Sequence, residues 1–277
     1  MAHKKSYAGE DRTMRNAAQT LLANIRFASV DDPIKTVVIT SSVPNEGKTT
    51  VSVELARAMA RGGRTVLLVE CDMRRRSLAA TLGRHPETGL YSVLSGATDY
   101  GQSSVAVEEN LWFLDVEPHI PNPPEIIASK RFRRFVAEVR QRFDFVVFDT
   151  PPLAAFVDAA VLSSIVDGTV MVVRESFVKR TELVDAYAQL QNAGANVVGV
   201  CMNYCHEERS EYYYAYYDRQ GRRVRTSDAD LDDDETQLPP LAPSGSSHLL
   251  ASTDASMPVN RTRPSARRVV ESDSDAF

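Results

Sequence analysis

Three consecutive residues, Gly47, Lys48 and Thr49, have the side chains and spacing that suit them to hold a phosphate group. They follow an apolar, β-branched run, 37–39, which predicts a buried strand, and a helical pattern begins directly after them. In that setting backbone N–H groups face an anion, the lysine adds a positive charge, and the threonine hydroxyl can ligate Mg²⁺. The spacing therefore predicts a phosphate-binding loop, and an exposed turn with a chance Gly-Lys-Thr is the alternative interpretation.

Acidic residues at the ends of two later strands support the first interpretation. The general loop motif has glycine where Ser42 stands, so the strict pattern fails at its first position. A second apolar strand ends on Glu70 and Asp72, and a third apolar run, 143–149, closes on Asp149. Carboxylates at the carboxyl ends of parallel strands lie beside the crevice where such sheets bind ligands. An apolar strand that ends on one Asp is also typical of nucleotide sites, in which the carboxylate holds a magnesium-bound water.

Composition excludes several other classes of protein. The chain has 277 residues, is 43% apolar and carries a net charge of −5, which argues against a nucleic-acid partner. Three cysteines are too few for a disulfide framework and indicate a reducing cytoplasm. The first residues have no apolar core, and no stretch is apolar for long enough to span a bilayer. Any association with a membrane must then come through a partner.

The order of patterns predicts one large domain with appendages. Strands and helices alternate over 36–203, which predicts an α/β fold with a doubly wound, mostly parallel sheet. We expect an N-terminal segment with a helix in 1–35 and a phosphate-loop domain in 36–204. A tyrosine cluster in 205–217 and a polar tail in 218–277 should follow, and the tail has too few apolar residues to fold alone.

Two finer predictions concern the helices. Apolar spacing predicts a helix over 16–27, and a single helix is expected over 125–142. The stretch before the second helix contains four prolines, at 118, 121, 123 and 124, and is expected not to be helical.

With these residues in place, the chain resembles the bacterial tyrosine kinases of capsular and exopolysaccharide biosynthesis over nearly all of 16–217. In that family the loop typically reads S-S-x-P-G-E-G-K-[ST]-T, so Ser42 is expected and Asn45 is the departure. A second motif, D-x-D-x-R, is matched by 70–74 except that one Asp is lengthened to Glu70. A third motif is matched by 149–152, Asp-Thr-Pro-Pro.

The resemblance implies a P-loop NTPase fold with a deviant Walker A motif, and it implies roles for individual residues. ATP with Mg²⁺ would be the cofactor, and Asn203 would contact the adenine. The cofactor-binding residues would be Ser42, Asn45, Glu46, Gly47, Lys48, Thr49, Thr50 and Asn203. The metal would be held by Thr49, Asp72 and Asp149.

The same resemblance implies a protein-tyrosine kinase that phosphorylates itself. Lys48, Asp72 and Glu70 would be catalytic: Asp72 would accept the tyrosyl proton, and Glu70 would assist at the metal. A copy of the chain would be phosphorylated in trans on clustered tyrosines, namely Tyr212, Tyr213, Tyr214, Tyr216 and Tyr217. A transmembrane polysaccharide co-polymerase would activate the cytoplasmic protein and recruit it to the inner face of the plasma membrane.

One family motif is missing. The N-terminal helix of the family commonly carries E-x-x-R-x-x-R, which joins subunits into a ring. In this sequence the three charged positions are occupied by Asn16, Gln19 and Leu22. The resemblance therefore does not extend to these ring contacts.

Two other functions fit part of the pattern. A partition-type P-loop ATPase has the same broad fold, but it usually carries an additional lysine early in the loop, where this chain has 41–43, Ser-Ser-Val. A nucleotide-binding scaffold of the polysaccharide export machinery, with weak or no catalysis, would tolerate Glu70 and the missing ring motif. Formation of phosphotyrosine from ATP separates the kinase from both.

Overall fold

The computed structural model describes residues 2–29 and 32–205, with side chains from Thr13 onward. No helix in this part of the chain is both long and apolar enough to cross a bilayer. The predicted tyrosine cluster with its five phosphoacceptor tyrosines, and the predicted tail, lie outside the described residues.

Seven strands form one sheet. They are β1 (Thr36–Ser41), β2 (Val66–Glu70), β3 (Val105–Glu108), β4 (Leu111–Leu114), β5 (Phe145–Asp149), β6 (Gly168–Arg174) and β7 (Val197–Asn203). Their order is β3-β4-β2-β5-β1-β6-β7, and every neighbouring pair is parallel except β3 with β4. The central strands β1, β2 and β5 are buried along their whole length, as expected for a parallel sheet covered on both faces. The predicted doubly wound α/β fold is confirmed.

Helices cover the two faces of the sheet. They are α1 (Ala2–Phe27), α2 (Lys48–Arg61), α3 (Leu78–Leu82), α4 (Leu90–Ser95), α5 (Tyr100–Ser103), α6 (Pro123–Ala128), α7 (Lys130–Arg142), α8 (Asp158–Ser163) and α9 (Arg180–Asn192). One apolar cluster joins α1 and α2 to the first face, and a second joins α4, α6 and α7 to the other. A third cluster places α9 over β6. This packing fixes the start of α2 against the carboxyl ends of the central strands.

Two helix predictions need correction. Residues 125–142 form two helices, because Ser129 ends α6 and caps α7 by accepting a hydrogen bond from the N–H of Phe132 at 3.1 Å. Helix α6 begins at Pro123, inside the stretch expected not to be helical. Proline is tolerated there because the first residues of a helix have no intrahelical acceptor for their N–H groups.

The N-terminal helix is part of the core. Helix α1 begins well before the predicted residue 16, and it packs on α2 through Ala18, Leu22 and Ile25, all of which are buried. Leu22 stands where the family motif has a charge, and its burial explains why a charge is unsuitable here. Asn16 and Gln19 are exposed on the same helix.

Asp167 connects the beginning of β1 to the loop before β6. Its Oδ2 accepts hydrogen bonds from the N–H groups of Lys35 and Thr36 and from the Thr36 hydroxyl, at 2.9 to 3.0 Å. The guanidinium of Arg140 donates to both carboxylate oxygens. Burial alone would raise the pKa of Asp167, but these donors outweigh it and hold the pKa below its ordinary value.

We expect this carboxylate to make stability depend on pH. Because the folded state lowers the pKa, the stabilisation is fully present above the unfolded value of about 3.9 and is lost as the pH falls through the lower folded value. Asp167→Asn should lower the free energy of unfolding at pH 7 by about 1–3 kcal/mol and flatten its fall below pH 5. Urea unfolding across pH measures both, with Asp185→Asn on the exposed side of α9 as the control. An identical pH profile for Asp167→Asn and the unaltered protein would contradict the assignment.

Candidate active site

The loop between β1 and α2 has a backbone that only certain residues adopt. Gly47 has φ +90°, and a Cβ placed there would lie 2.1 Å from Nδ2 of Asn203. Glycine is therefore required both by conformation and by the close approach of β7. Asn45 also has a positive φ, +67°. Asparagine is one of the few residues with a side chain that tolerates this region, so it can replace the glycine usual in the family.

The buried side chain of Glu46 fixes the loop. It accepts hydrogen bonds from the N–H of Val43 at 2.8 Å and from the N–H of Arg174 at 3.1 Å, which ties the loop to the end of β6. Its carbonyl oxygen accepts from Nδ2 of Asn203 at 2.9 Å, which ties it to the end of β7. Glu46 thus stabilises the conformation of the loop, and its carboxylate does not line the cleft.

Lys48 and Thr49 begin α2 next to Asp149 at the end of β5. Burial lowers the pKa of Lys48, and the carboxylates of Asp149, Asp72 and Glu46 partly offset that effect. The hydroxyl of Thr49 donates to Oδ2 of Asp149 at 2.8 Å, and the hydroxyl of Ser52 donates to Oδ1 at 2.9 Å. The first turns of α2 therefore surround one buried carboxylate with donors and a cation.

Asp149 holds its proton more tightly than an ordinary aspartate. Burial raises its pKa to about 6, although Thr49, Ser52 and Lys48 act in the opposite direction. A buried carboxylate of this kind gains from a nearby cation. Thr49 and Asp149 offer the oxygen ligands that Mg²⁺ prefers, and in many nucleotide sites phosphates and waters complete the coordination. Within 2–29 and 32–205 no three His, Cys, Asp or Glu residues are grouped to hold a metal by themselves. The residues present therefore fit a magnesium ion bound together with a nucleotide.

The carboxylate of Glu70 is bound by backbone donors. Its fully buried carboxylate accepts from the N–H of Asp72 at 3.0 Å through Oε1, and from the N–H groups of Ser77 and Leu78 at 2.8 and 2.9 Å through Oε2. Burial raises its pKa well above the ordinary value, and the neighbouring charge of Asp149 adds to the effect. Its carboxylate organises the segment 71–78, and the longer side chain is what reaches the start of α3. The expected assistance of Glu70 at the metal stays a prediction.

A cleft of about 400 Å³ opens above the carboxyl ends of the strands. It brings together Asn45, Gly47, Lys48, Thr49, Asp72 and Asp149, as the sequence predicts. Ser42 is fully buried and Thr50 is exposed, and neither lines the cleft. Asn203 does not line the cleft, but its side chain contacts the loop that does: it donates to the carbonyl oxygen of Glu46 and lies against Gly47. The binding roles of these three residues remain predictions.

Several residues of the cleft were not predicted to have a role. At one end the guanidinium of Arg174 lies 4.5 Å from the ring centroid of Tyr204 and 4.6 Å from that of Phe177. At the other end Arg74 and Phe156 lie together, and Asp72 accepts from the N–H of Arg75 at 2.8 Å. Of the residues without a predicted role, Arg74 belongs to a motif quoted from the sequence, and Arg75 follows it directly. Phe156, Arg174 and Tyr204 come from three other strand ends, and no spacing along the chain connects them.

The contacts of Glu70 lead to a prediction that opposes the simplest comparison with the family. Glu70→Asp would shorten the side chain by about 1.5 Å, so the carboxylate could not reach both N–H groups at the start of α3. We expect a loss of about 1–3 kcal/mol in the free energy of unfolding and no gain in phosphoryl transfer. Denaturation and phosphotyrosine formation measure the two effects. Higher activity at equal stability would show that Glu70 restrains catalysis instead.

Comparisons with known proteins indicate the same fold and the family to which the chain belongs. The AAA_31 family model, described as an AAA domain, matches residues 34–179. Tyrosine-protein kinase YwqD of Bacillus subtilis is 35% identical over 186 residues, which cover 67% of this chain and 78% of YwqD. The crystal structure of the chimerical protein CapA2B2 is similar at 31% identity and a TM-score of 0.66, covering 69% of this chain and 84% of the chimera. The kinase domain of Escherichia coli tyrosine kinase ETK is 27% identical with a TM-score of 0.67, and the match covers 71% of this chain and 77% of the ETK domain. The chain therefore belongs to the AAA-domain family of P-loop proteins and, within it, to the bacterial tyrosine kinases.

Proposed function

We propose that this protein is an ATP-dependent protein-tyrosine kinase whose reaction takes place in the cleft above β1, β2 and β5. The observation that carries the proposal is the convergence of Lys48, Thr49, Asp72 and Asp149, from three separate strand ends, on one cleft. Relatives named as tyrosine kinases support the same activity. A P-loop fold alone would support only nucleotide binding.

The chemistry is phosphoryl transfer from ATP to a tyrosine. The tyrosyl oxygen attacks the γ-phosphorus, the bond from that phosphorus to the β–γ bridging oxygen breaks, and ADP leaves. The N–H groups of the loop and Lys48 stabilise the charge on the phosphates, and Asp72 accepts the phenolic proton. Thr49 and Asp149 would hold Mg²⁺, which neutralises phosphate charge when it is bound. Such a reaction needs little from the protein beyond positioning and charge, and both are built into the start of α2.

The strand order makes the two ends of the cleft different. The ends of β6 and β7, with Arg174 and Asn203, lie on one side of β1, whereas the ends of β5 and β2 lie on the other. We place the adenine on the side of Asn203 and the γ-phosphate on the side of Asp72. The phosphates then extend across the loop past Gly47 and Lys48.

We also propose a cellular setting. The kinase would act in capsular or exopolysaccharide synthesis and export, where a transmembrane co-polymerase would activate it and recruit it to the inner face of the plasma membrane. Similarity to the bacterial tyrosine kinases supports this setting. Binding to the cytoplasmic segment of such a co-polymerase, measured by calorimetry, would test it, and the absence of any binding would count against it.

Nucleotide binding should depend on Lys48. Lys48→Met keeps the length and apolar stem of the side chain but removes its charged contact with the phosphates, so affinity for Mg-ATP should fall about 10- to 100-fold. Titration with a fluorescent ATP analogue measures the change. Lys130→Met, an exposed change at the start of α7 and outside the cleft, is the matched control. Equal affinity in the two variants would show that Lys48 does not contribute to nucleotide binding.

Transfer to tyrosine should occur between copies of the chain. We expect Lys48→Met protein to gain phosphotyrosine at 212–214, 216 and 217 when it is mixed with ATP and a donor in which those five tyrosines are phenylalanine. Each phosphate adds about −1.5 to −2 charges at neutral pH, so native gels should show a shift in mobility. Mass spectrometry identifies the tyrosines that carry phosphate. ATP hydrolysis without any phosphotyrosine would favour the ATPase. Nucleotide binding without turnover would favour the scaffold.

A further inference from the structure

Three residues from two strand ends form a fixed group at the β2 side of the cleft. The guanidinium of Arg74 lies 3.8 Å from the ring centroid of Phe156, which is close stacking. Its Nη1 donates to Oδ1 of Asp158 at 2.9 Å. Asp158 is fully buried, whereas Arg74 and Phe156 both line the cleft.

Arg74 is the charged partner that the structure shows for this buried carboxylate. Oδ2 of Asp158 is buried and has no hydrogen-bond partner among the described residues, so the charge of Asp158 depends on the contact through Oδ1. A buried carboxylate with one partner fixes that partner strongly, because separating the pair would leave the charge uncompensated. The guanidinium plane is therefore held in one place at the wall of the cleft.

The location of this group matches the acceptor side of the reaction. Arg74 follows β2 and Phe156 follows β5, and both strands lie beyond β1 as seen from β6 and β7. If the nucleotide lies as proposed above, the acceptor must approach its γ-phosphate from the side of Asp72. Arg74 is two residues from Asp72, and its N–H donates to Oδ1 of Asp72 at 3.2 Å.

We propose that Arg74 and Phe156 form the surface that binds the ring of the acceptor tyrosine, and that Asp158 is the residue that positions Arg74. One face of the guanidinium is covered by Phe156, and the acceptor ring stacks on the other face. The phenolic oxygen is then directed towards Asp72 and the γ-phosphate. This inference rests on the proposed kinase function and adds to it a source of selectivity, because serine and threonine have no ring to stack.

Binding of peptides to the full-length protein tests the proposal without requiring turnover. The probes are a peptide with the sequence of residues 211–218 and the same peptide with every tyrosine replaced by serine, each titrated with a non-hydrolysable ATP analogue and Mg²⁺ present. We expect the unaltered protein to bind the tyrosine peptide about tenfold more tightly. Phe156→Leu and Arg74→Lys should each remove most of that difference, because leucine lacks the ring and lysine lacks the planar group. Asp158→Asn should act in the same direction by releasing Arg74.

Phe177→Leu is the matched control, since Phe177 stacks beneath Arg174 at the opposite end of the cleft. It should leave the preference for the tyrosine peptide unchanged. Thermal melting confirms that each variant is folded, and affinity for the ATP analogue should be retained in Phe156→Leu. Equal binding of the two peptides by the unaltered protein, or an unchanged preference in folded Phe156→Leu and Arg74→Lys, would overturn the inference. The kinase function fails on a separate result, the absence of phosphotyrosine formed from ATP.

Discussion

The structure depends most on keeping two carboxylates buried side by side at the ends of neighbouring strands. Glu70 and Asp149 are register partners in β2 and β5, and both are almost completely shielded from water. Burial raises both pKa values, the charge of Asp149 adds to the effect on Glu70, and the charge of Asp72 adds to the effect on Asp149, so the fold must supply donors and positive charge at this point. It does so differently for the two groups. Asp149 receives two hydroxyls and a nearby ammonium from α2, whereas Glu70 receives three backbone N–H groups from 71–78.

The two carboxylates therefore have different surroundings. Glu70 has its oxygens directed at backbone groups, and it holds the turn that carries Asp72 into the cleft. Asp149 accepts from the hydroxyls of Thr49 and Ser52, and its pKa of about 6 leaves the carboxylate mostly ionised at neutral pH. An ionised carboxylate thus lies beside Lys48 at the start of α2.

The sequence was sufficient for those features that depend on local pattern. The apolar run 37–39, the loop through Gly47 and the strand ending on Asp149 each have a signature within a few residues, and the structure has the predicted strand, loop and helix there. Features that depend on strand order had no such signature. The antiparallel pairing of β3 with β4 and the contact of Arg174 with Tyr204 join segments that are distant or unpatterned in the chain. The partners of Glu70 could not be predicted either, because a family comparison predicts a residue type, whereas the hydrogen bonds of that residue are set by the path of the following turn.

Contacts among side chains also hold the charged groups of the cleft in place. Three of the four cations that line it have partners from different parts of the sheet: Arg174 has aromatic rings after β6 and β7, Lys48 has the carboxylates around α2, and Arg74 has Asp158 after β5. Because these partners are set in rigid strand ends and short helices, the positive charges cannot simply move to meet a phosphate. Charge fixed in advance needs little reorganisation as the transition state forms, and this is the main contribution a protein makes to phosphoryl transfer. The buried carboxylate of Asp158 therefore contributes to the cleft indirectly, by keeping Arg74 in place.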